Sequence, residues 1–329
     1  MHAEPQLDLA LILVTDSFAS IRDVVRYLRR QTLRHRLELV IVTGASAELE
    51  RSDDLSAFGA VEVVAVGAAE LAAVHPARLA GIRAAHAPIV VFGETHCFPE
   101  PDYCAALLAA FRDGPWVAVG PGMLNANPES AIGWSGLLLD YGAWLAGGVA
   151  APRPHVAGHN GAYRRQVLLA YGEELAELMR ADTVLTGRLH ADGHRLYFQP
   201  AARTRHLNVS RPWPWLVERF AGGREYAAAR VKDASPARRL LFVAGSPLVP
   251  AIRLVRIARQ VARVEPPCRP GLRVVPALLV ALAVSAAGEL CGYARGSSAR
   301  AAHRLAEIEI HRSRFVAGDW RARLGLDEA

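Results

Sequence analysis

Lysine is almost absent from this chain of 329 residues. Of its 38 lysine and arginine residues, only Lys232 is a lysine. Arginine therefore supplies nearly all the positive charge behind the formal net charge of +6. An arginine excess favours anionic lipid, phosphate or nucleic acid as partners, and it also arises in a genome rich in G and C. Basic residues interleaved with aromatic ones occur only in residues 213–230, so we expect no nucleic-acid partner.

Cysteine is scarce as well. Its four positions, Cys97, Cys104, Cys268 and Cys291, form neither a paired metal-binding spacing nor a dense disulfide pattern. We therefore expect a reducing, cytoplasmic setting. The first residues contain no basic segment followed by an apolar core, so we expect no secretion signal.

The first half of the chain alternates apolar runs with segments of helical spacing. Strands are predicted at residues 7–14, 37–42, 61–66, 89–92 and 116–120. Helices are predicted at residues 21–31, 76–85 and 103–111. Strands that alternate with helices imply parallel pairing through crossover connections, so we predict an α/β fold with a mixed, mainly parallel sheet flanked by helices.

The second half is less regular. Helices are predicted at residues 135–145, 182–191, 213–230 and 300–314, and a short strand at residues 195–199. Residues 201–205, which precede His206, are also strand-like. Residues 236–263 form a basic amphipathic stretch, which is typical of a helix in a membrane interface or of an ordinary surface helix. Residues 274–287 are almost wholly apolar but fall short of the roughly 20 residues of a spanning helix, which favours a buried helix, a re-entrant segment or a shallow anchor. We predict a first domain at residues 1–235 and a helical, membrane-interfacial region at residues 236–329.

The apolar run Ile89–Phe92 ends abruptly in Glu94 and His96, and Pro99 follows soon after. Such a run is typical of a buried strand that a proline terminates. Ligands bind at strand ends in open α/β sheets, and carboxylate and imidazole groups bind metal ions. The pair is therefore a candidate metal or phosphate site. The alternative is that Glu94 caps the following turn and His96 packs locally.

Four segments in order resemble the family 2 glycosyltransferases with the GT-A fold, and the resemblance covers residues 7–230. They are residues 11–32 with the strand at 37–42, residues 77–85, residues 158–165, and residues 182–189 with 193–196 and His206. No segment is specific by itself, and their order and spacing carry the resemblance. It implies a nucleotide-sugar donor, an inverting transfer and membrane association.

The resemblance also implies a donor site. Such enzymes usually carry Asp-x-Asp after the fourth strand to bind a divalent metal, and here Glu94, Thr95 and His96 occupy those positions. Glu94 and His96 are then metal ligands for Mn²⁺ or Mg²⁺, with His206 as a third metal ligand, as a diphosphate ligand or as a structural histidine. The implied donor contacts are Thr15, Asp16, Ser17, Thr43, Arg78, Glu94, Thr95 and His96. The family's Asp-Asp pair after the second strand is replaced by residues 43–46, so the nucleotide is not assigned.

Asp182 matches the position at which the family places its catalytic base, a carboxylate that takes the proton of the acceptor hydroxyl. An aspartate at a helix start is also a favoured N-cap, and both roles can hold at once. The loop at residues 158–161 supplies His159 and Asn160 as implied acceptor-site residues, or it forms only the turn that Asn-Gly favours.

The function so implied is sugar transfer to a lipid-linked or polysaccharide acceptor at the cytoplasmic face of the cell membrane, by a peripheral or monotopic protein. The alternative is a non-catalytic GT-A module that binds a nucleotide sugar or a partner at the membrane. It stays open because both acidic motifs of the family are altered in this chain.

Overall fold

Four parallel strands form one part of the sheet in the computed structural model, which describes residues 6–44, 53–180, 182–232, 234–265 and 268–327. The four strands lie in the order β3-β2-β1-β4. They are β1 (Leu9–Val14), β2 (Leu37–Gly44), β3 (Ala60–Val66) and β4 (Ile89–Phe92), all parallel. β1 and β4 are buried along their whole length, as expected for parallel strands covered on both faces. The strand predicted at residues 89–92 is confirmed at both ends.

The sheet continues beyond β4 in the order β8-β6-β9-β5, and one further strand, β7, also pairs with β9. These strands are β5 (Cys97–Pro99), β6 (Trp116–Asn125), β7 (Ala151–Arg153), β8 (Ala162–Arg164) and β9 (Arg195–His206). β8 is antiparallel to β4 and β6, and β9 is antiparallel to β5 and β7. The predicted mixed α/β sheet is therefore confirmed, with its parallel part at the N-terminal side.

β9 joins the strand predicted at residues 195–199 to the strand-like residues 201–205 in one element. It continues through Pro200 to His206. Its pairing holds on both sides of the proline, with β7 at Leu196–Phe198 and with β5 at Thr204–His206. The proline removes one donor but does not end the strand, because partners on each side keep the chain extended.

The helices alternate with these strands in the first half and follow one another in the second. In chain order they are α1 (Phe18–Leu28), α2 (Ala68–Ala73), α3 (His75–Ala84), α4 (Tyr103–Asp113), α5 (Ala131–Tyr141), α6 (Arg165–Leu169), α7 (Glu174–Leu178), α8 (Asp182–Ala191), α9 (Pro212–Arg230), α10 (Pro236–Gly245), α11 (Val249–Val261), α12 (Val275–Arg295), α13 (Ala299–Ile310) and α14 (Trp320–Arg323). α3 approaches the sheet closely at Gly81, where a Cβ would lie 2.6 Å from Ile12 and 2.8 Å from Val42. The helix predicted at residues 182–191 is confirmed at both ends.

The contacts divide the chain into two units. The first comprises the described residues of Met1–Leu124, Trp144–His206 and Gly325–Ala329, and it contains nearly all of the sheet. The second comprises Asn125–Ala143 and the described residues of Leu207–Leu324, and it is helical. α5 and α9 belong to this second unit, whereas the sequence analysis places them before a division at residue 235.

Glycines explain why α9 joins the C-terminal helices. A Cβ added at Gly223 of α9 would lie 2.3 Å from the carbonyl oxygen of Ser285 on α12, and one at Gly288 would lie 2.1 Å from that of Phe220. Two helices can pack this closely only where side chains are absent from the contact. α9 and α12 are therefore one packed pair.

Two helical segments of the second unit, Pro236–Val261 and Leu272–Arg295, are long and apolar enough to cross a membrane by length and composition. The apolar part of the first is only 11% buried, against 44% for the second. The first segment is thus far more exposed than a core helix. The exposed large apolar residues on the two segments are Leu240, Leu241, Leu248, Ile252, Val255, Leu272, Val275, Leu279, Val280 and Leu290.

Candidate metal and donor site

The turn between β4 and β5 carries the two polar residues that the sequence analysis singled out. Gly93 keeps the chain against β1, where its N–H donates to the carbonyl oxygen of Ile12 at 2.9 Å and a Cβ would lie 2.7 Å from Leu11. The chain then turns, and the side chains of Glu94 and His96 are both buried. Buried polar groups require partners, so this turn is built around a polar cluster.

His206 is the first partner. It ends β9 and stands opposite Cys97 in the ladder between β5 and β9. The Nε2 atoms of His96 and His206 lie 3.2 Å apart, and the two rings meet at 86°. In the absence of an ion one nitrogen donates and the other accepts, and the same two nitrogens could instead bind one metal ion. The structure thus brings together the three predicted metal ligands, Glu94, His96 and His206.

The two carboxylate oxygens of Glu94 have different surroundings. Oε2 accepts a hydrogen bond from Nδ2 of Asn160 at 2.6 Å and another from the thiol of Cys97 at 2.9 Å. Oε1 lies 3.8 Å from Nε2 of His96 and 3.8 Å from Nδ1 of His159. The hydrogen bonds to Oε2 therefore hold the carboxylate in place, and Oε1 faces the imidazoles of His96 and His159.

Asn160 is held in a backbone conformation that suits its hydrogen bond to Glu94. Its φ of 55° lies in the left-handed region that asparagine tolerates better than most residues. Its N–H donates to the carbonyl oxygen of Phe92 at 2.7 Å, and its carbonyl oxygen accepts from the hydroxyl of Tyr103. Burial raises the pKa of Tyr103 well above its ordinary value, so that hydroxyl remains a donor. The predicted acceptor role of Asn160 stays a prediction, and the contact that the structure provides is with Glu94.

Four side chains could hold a metal ion here. One ligand atom from each of Glu94, His96, Cys97 and His206 lies within 4.8 Å of the others, and all four residues are buried. A carboxylate and two imidazoles can hold a divalent transition metal, whereas Mg²⁺ prefers oxygen ligands alone. Cys97 was not among the predicted ligands, because it has no paired cysteine at a metal-binding spacing. Its only sequence signal is its place directly after His96.

The other predicted donor residues follow the ends of neighbouring parallel strands. Thr15 is buried after β1, and its hydroxyl donates to the carbonyl oxygen of Ser17 at 2.7 Å. Asp16 accepts from the hydroxyls of Ser17 and Ser20 at 3.1 and 3.0 Å, at the start of α1. Thr95 lies in the turn itself, with its hydroxyl 3.4 Å from Nδ1 of His96. The strands that precede Thr15 and the turn are adjacent and parallel, so their ends meet at one edge of the sheet.

Two buried groups at this part of the fold have no hydrogen-bond partner among the described residues. They are the Oγ1 atom of Thr43, on β2, and the Nε atom of Arg78, on α3. The guanidinium group of Arg78 lies over the ring of Phe92, 5.0 Å from its centroid. Because buried polar groups in folded proteins are nearly always paired, these two are suited to contact a polar ligand.

Asp182, the predicted catalytic base, is the first residue of α8. Its backbone is described, but its side chain lies outside the described part of the chain, as do residue 181 and residues 45–46 of the predicted nucleotide segment. His159 lies beside Glu94 with a third of its side chain exposed. The catalytic role of Asp182 and the acceptor role of His159 stay predictions.

No protein-family model and no curated protein matches this chain. Among solved structures, the mannosyltransferase PcManGT from Pyrobaculum calidifontis, in complex with GDP-Man and Mn²⁺, is 19% identical with a TM-score of 0.47, over 99% of this chain and 84% of that one. GalNAc-T7, solved with UDP, GalNAc and Mn²⁺, is 15% identical with a TM-score of 0.45, over 61% of this chain. This chain covers 43% of the length of GalNAc-T7. At these identities and TM-scores neither likeness determines what this chain binds or catalyses.

Proposed function

We propose that this chain is a family 2 glycosyltransferase of the GT-A type, which moves a sugar from a nucleotide-sugar donor to a lipid-linked or polysaccharide acceptor with inversion. The observation that carries the proposal is the convergence of Glu94, His96 and His206 at the edge where the parallel strands end. A carboxylate and two imidazoles can hold a divalent metal there. When bound, that metal would neutralise the charge that develops on a leaving diphosphate.

The unpaired donors nearby support a polar ligand of this kind. Arg78 is 5% exposed, and its Nε atom has no partner among the described residues. A guanidinium group makes strong, charge-assisted hydrogen bonds to phosphate oxygens. We therefore assign Arg78 to the donor, together with Thr43 and the segment of Thr15, Asp16 and Ser17.

The proposed transfer is a single displacement at the anomeric carbon. The acceptor oxygen forms its bond to that carbon as the bond to the donor phosphate breaks, and the phosphate oxygen keeps the electron pair. Asp182 would accept the proton of the acceptor hydroxyl, which a positioned carboxylate can do. Attack from the face opposite the leaving group inverts the anomeric configuration.

Membrane association is supported by the exposed apolar residues of α10, α11 and the turn between them in the second unit, which together are called the α10–α11 face. On this α10–α11 face, Leu241 is 70% exposed, Leu248 63% and Ile252 55%. The same helices carry Arg238, Arg239, Arg256 and Arg259. Exposed apolar side chains beside arginines suit the interface of a bilayer that contains anionic lipid. We propose that this face holds the protein on the cytoplasmic surface of the cell membrane.

A groove in the second unit supports a lipid-linked acceptor. It has a volume of about 690 Å³ and is lined by residues of α9, α12 and α13, among them the aromatic side chains of Trp213 and Phe220. Arg300 and Arg304 also line it. Apolar walls with cationic groups are complementary to a hydrocarbon chain that carries a phosphate.

The proposal is tested with the purified full-length chain, a set of nucleotide sugars and a polyprenyl-phosphate acceptor, with and without divalent metal. We expect release of a nucleoside diphosphate and a glycosylated lipid of inverted configuration, detected by mass spectrometry and NMR. Asp182→Asn should lower kcat by about 10²–10⁴-fold, whereas Asp113→Asn, at an exposed helix end, should not change it.

Two results would count against parts of this proposal. Full activity of Asp182→Asn would show that Asp182 is not the catalytic base. No turnover with any donor, in a folded protein that still binds nucleotide sugar, supports the non-catalytic module instead.

A further inference from the structure

We propose that Cys97 is a fourth ligand of the metal held by Glu94, His96 and His206, and that the site selects Zn²⁺ or Co²⁺ over Mg²⁺ and Mn²⁺. The inference rests on the proposed function only for the presence of a metal at this cluster. It adds a ligand that the sequence did not indicate, and with it a preference among metals.

The sulfur of Cys97 lies inside the cluster. Its ligand atom and those of Glu94, His96 and His206 are mutually within 4.8 Å, and its side chain is buried. The thiol donates to Oε2 of Glu94 at 2.9 Å and accepts from Nδ2 of Asn160 at 3.1 Å. Cys97 also stands opposite His206 in the β5–β9 ladder. The ladder therefore pairs the residue that carries the sulfur with one that carries an imidazole.

The histidine pair already has the spacing of two ligands of one ion. Zn–N bonds of about 2.0–2.1 Å in a tetrahedral site place two nitrogens about 3.3 Å apart. The Nε2 atoms of His96 and His206 are 3.2 Å apart. A metal can thus be bound with little movement of either ring, and a carboxylate oxygen of Glu94 and the sulfur of Cys97 would complete four ligands.

The donor set decides the preference among metals. Imidazole nitrogen and thiolate sulfur bind Zn²⁺ and Co²⁺, whereas Mg²⁺ and Mn²⁺ are bound mainly through oxygen. As the metal–sulfur bond forms, the thiol proton passes to solvent and the hydrogen bond from Cys97 to Glu94 is lost. Asn160 retains its hydrogen bond to Oε2 and keeps the carboxylate oriented, as outer partners of metal ligands generally do.

Co²⁺ is the probe that distinguishes the sulfur from the other donors. The full-length protein, stripped of metal, is titrated with Co²⁺ and followed by absorption, because a thiolate ligand gives a sulfur-to-cobalt charge-transfer band and a tetrahedral site gives intense visible bands. We expect both in the wild type. Cys97→Ser keeps a hydroxyl donor for Glu94 and should lose the charge-transfer band. Its affinity for Zn²⁺, measured by chelator competition, should fall by more than the roughly 10–100-fold that loss of an outer partner costs.

Cys104→Ser is the matched control. Cys104 is equally buried, on α4, and is not part of the cluster. It should leave the cobalt spectrum and the Zn²⁺ affinity unchanged. Cys97→Ala serves as a second variant, and the thermal unfolding of all variants is recorded so that a spectral loss is read only from folded protein.

The outcomes separate this inference from the proposed function. Cobalt binding without a charge-transfer band in the wild type, or an unchanged Zn²⁺ affinity in both Cys97 variants, overturns the inference and leaves the proposed transferase intact. Loss of sugar transfer in Asp182→Asn together with a sulfur band in the wild type supports both. A folded wild type that binds no divalent metal overturns the inference and also the metal part of the proposed function.

Discussion

Gly223 of α9 lies directly against Ser285 of α12, where a Cβ would be 2.3 Å from the serine carbonyl oxygen. The neighbouring glycine of the same helix, Gly222, has no atom within 4 Å of such a Cβ among the described residues. Two adjacent positions thus differ in whether a side chain fits. The contact is with backbone, so the neighbour cannot rotate away.

Alanine at these two positions should have opposite effects. Gly223→Ala should destabilise the protein by about 1–3 kcal/mol, because the new methyl group forces α9 and α12 apart. Gly222→Ala should be neutral or stabilise it by up to about 1 kcal/mol, because alanine favours the helix. Thermal and urea unfolding of the two variants measure the difference. Equal effects would show that the helices do not pack as described.

Asn160 should act on the metal through Glu94. Asn160→Gly removes the side-chain amide but keeps a residue that tolerates positive φ. Asn160→Ala removes the amide and also places a residue there that tolerates positive φ poorly. We expect a fall of about 10–100-fold in metal affinity in both variants, and an added loss of stability only in Asn160→Ala. Metal titration and unfolding are measured in parallel. An affinity equal to that of the wild type would mean that the amide does not orient the carboxylate.

Arg78 should contribute to donor binding more than to stability. Arg78→Met preserves a long side chain over Phe92 and removes the charge, so donor affinity should fall roughly 10- to 100-fold, the equivalent of one charge-assisted hydrogen bond. Arg83→Met is the control, since Arg83 lies on the same helix but forms an exposed ion pair with Glu173. Calorimetric titration with UDP and GDP sugars measures both. Equal donor affinity in the two variants would remove Arg78 from the site.

Glu218 links the stability of the second unit to pH. Burial raises the pKa of this carboxyl, but the guanidinium groups of Arg219 and Arg312 outweigh that effect and hold the pKa below its ordinary value. Those contacts are 3.0 and 2.6 Å long. A lowered pKa in the folded state means that the stabilisation is present above the unfolded-state pKa and is lost as the pH falls through the folded-state value.

The variant Glu218→Gln should therefore lose about 3 kcal/mol of stability at neutral pH, because it leaves two buried guanidinium groups without this partner. The difference from the wild type should shrink as the pH falls below about 4.3, the ordinary glutamate pKa. Urea unfolding across this range measures it. Glu173→Gln, which breaks the exposed pair with Arg83, should cost at most about 1 kcal/mol. A constant difference across the range would rule out Glu218 as the titrating group.

The α10–α11 face should bind anionic vesicles. Replacement of both Leu240 and Leu241 by glutamate should lower the affinity for vesicles of phosphatidylglycerol by at least about 10-fold, since each leucine loses its transfer to an apolar phase. Val63→Glu with Val149→Glu changes two exposed apolar residues of the first unit and is the control. Co-sedimentation at low and high salt measures binding. Unchanged binding by the double-leucine variant would exclude this face.

The sequence predicted those parts of the fold that depend on local pattern. The uninterrupted apolar run of β4 and the helix α8 were both predicted with their ends. β5, β7 and β8 were missed because three residues are too few for a periodicity, and their partners are distant in sequence. The strand predicted at residues 195–199 was too short, because pairing on both sides of Pro200 keeps the chain extended as far as His206.

The residues of the candidate site also differ in whether the local sequence pattern could reveal them. Glu94 and His96 could be found from the sequence because they interrupt an apolar run. His206 was predicted only from the resemblance, and Cys97 was not predicted. The two residues meet through the pairing of β5 with β9, which are distant in sequence. Asn160 was assigned to the acceptor because its loop gave no sign that its amide would reach a carboxylate.

The register of that ladder has a consequence for how the molecule forms. His96 and His206 are 110 residues apart in sequence, and a slip of one residue between β5 and β9 would turn His206 to the opposite face of the sheet. Contacts between such distant segments are slow to form, because a long loop must close first. The cluster can therefore form only when β5 and β9 are paired in the native register. During refolding, the gain of ion binding reports when this pairing is complete.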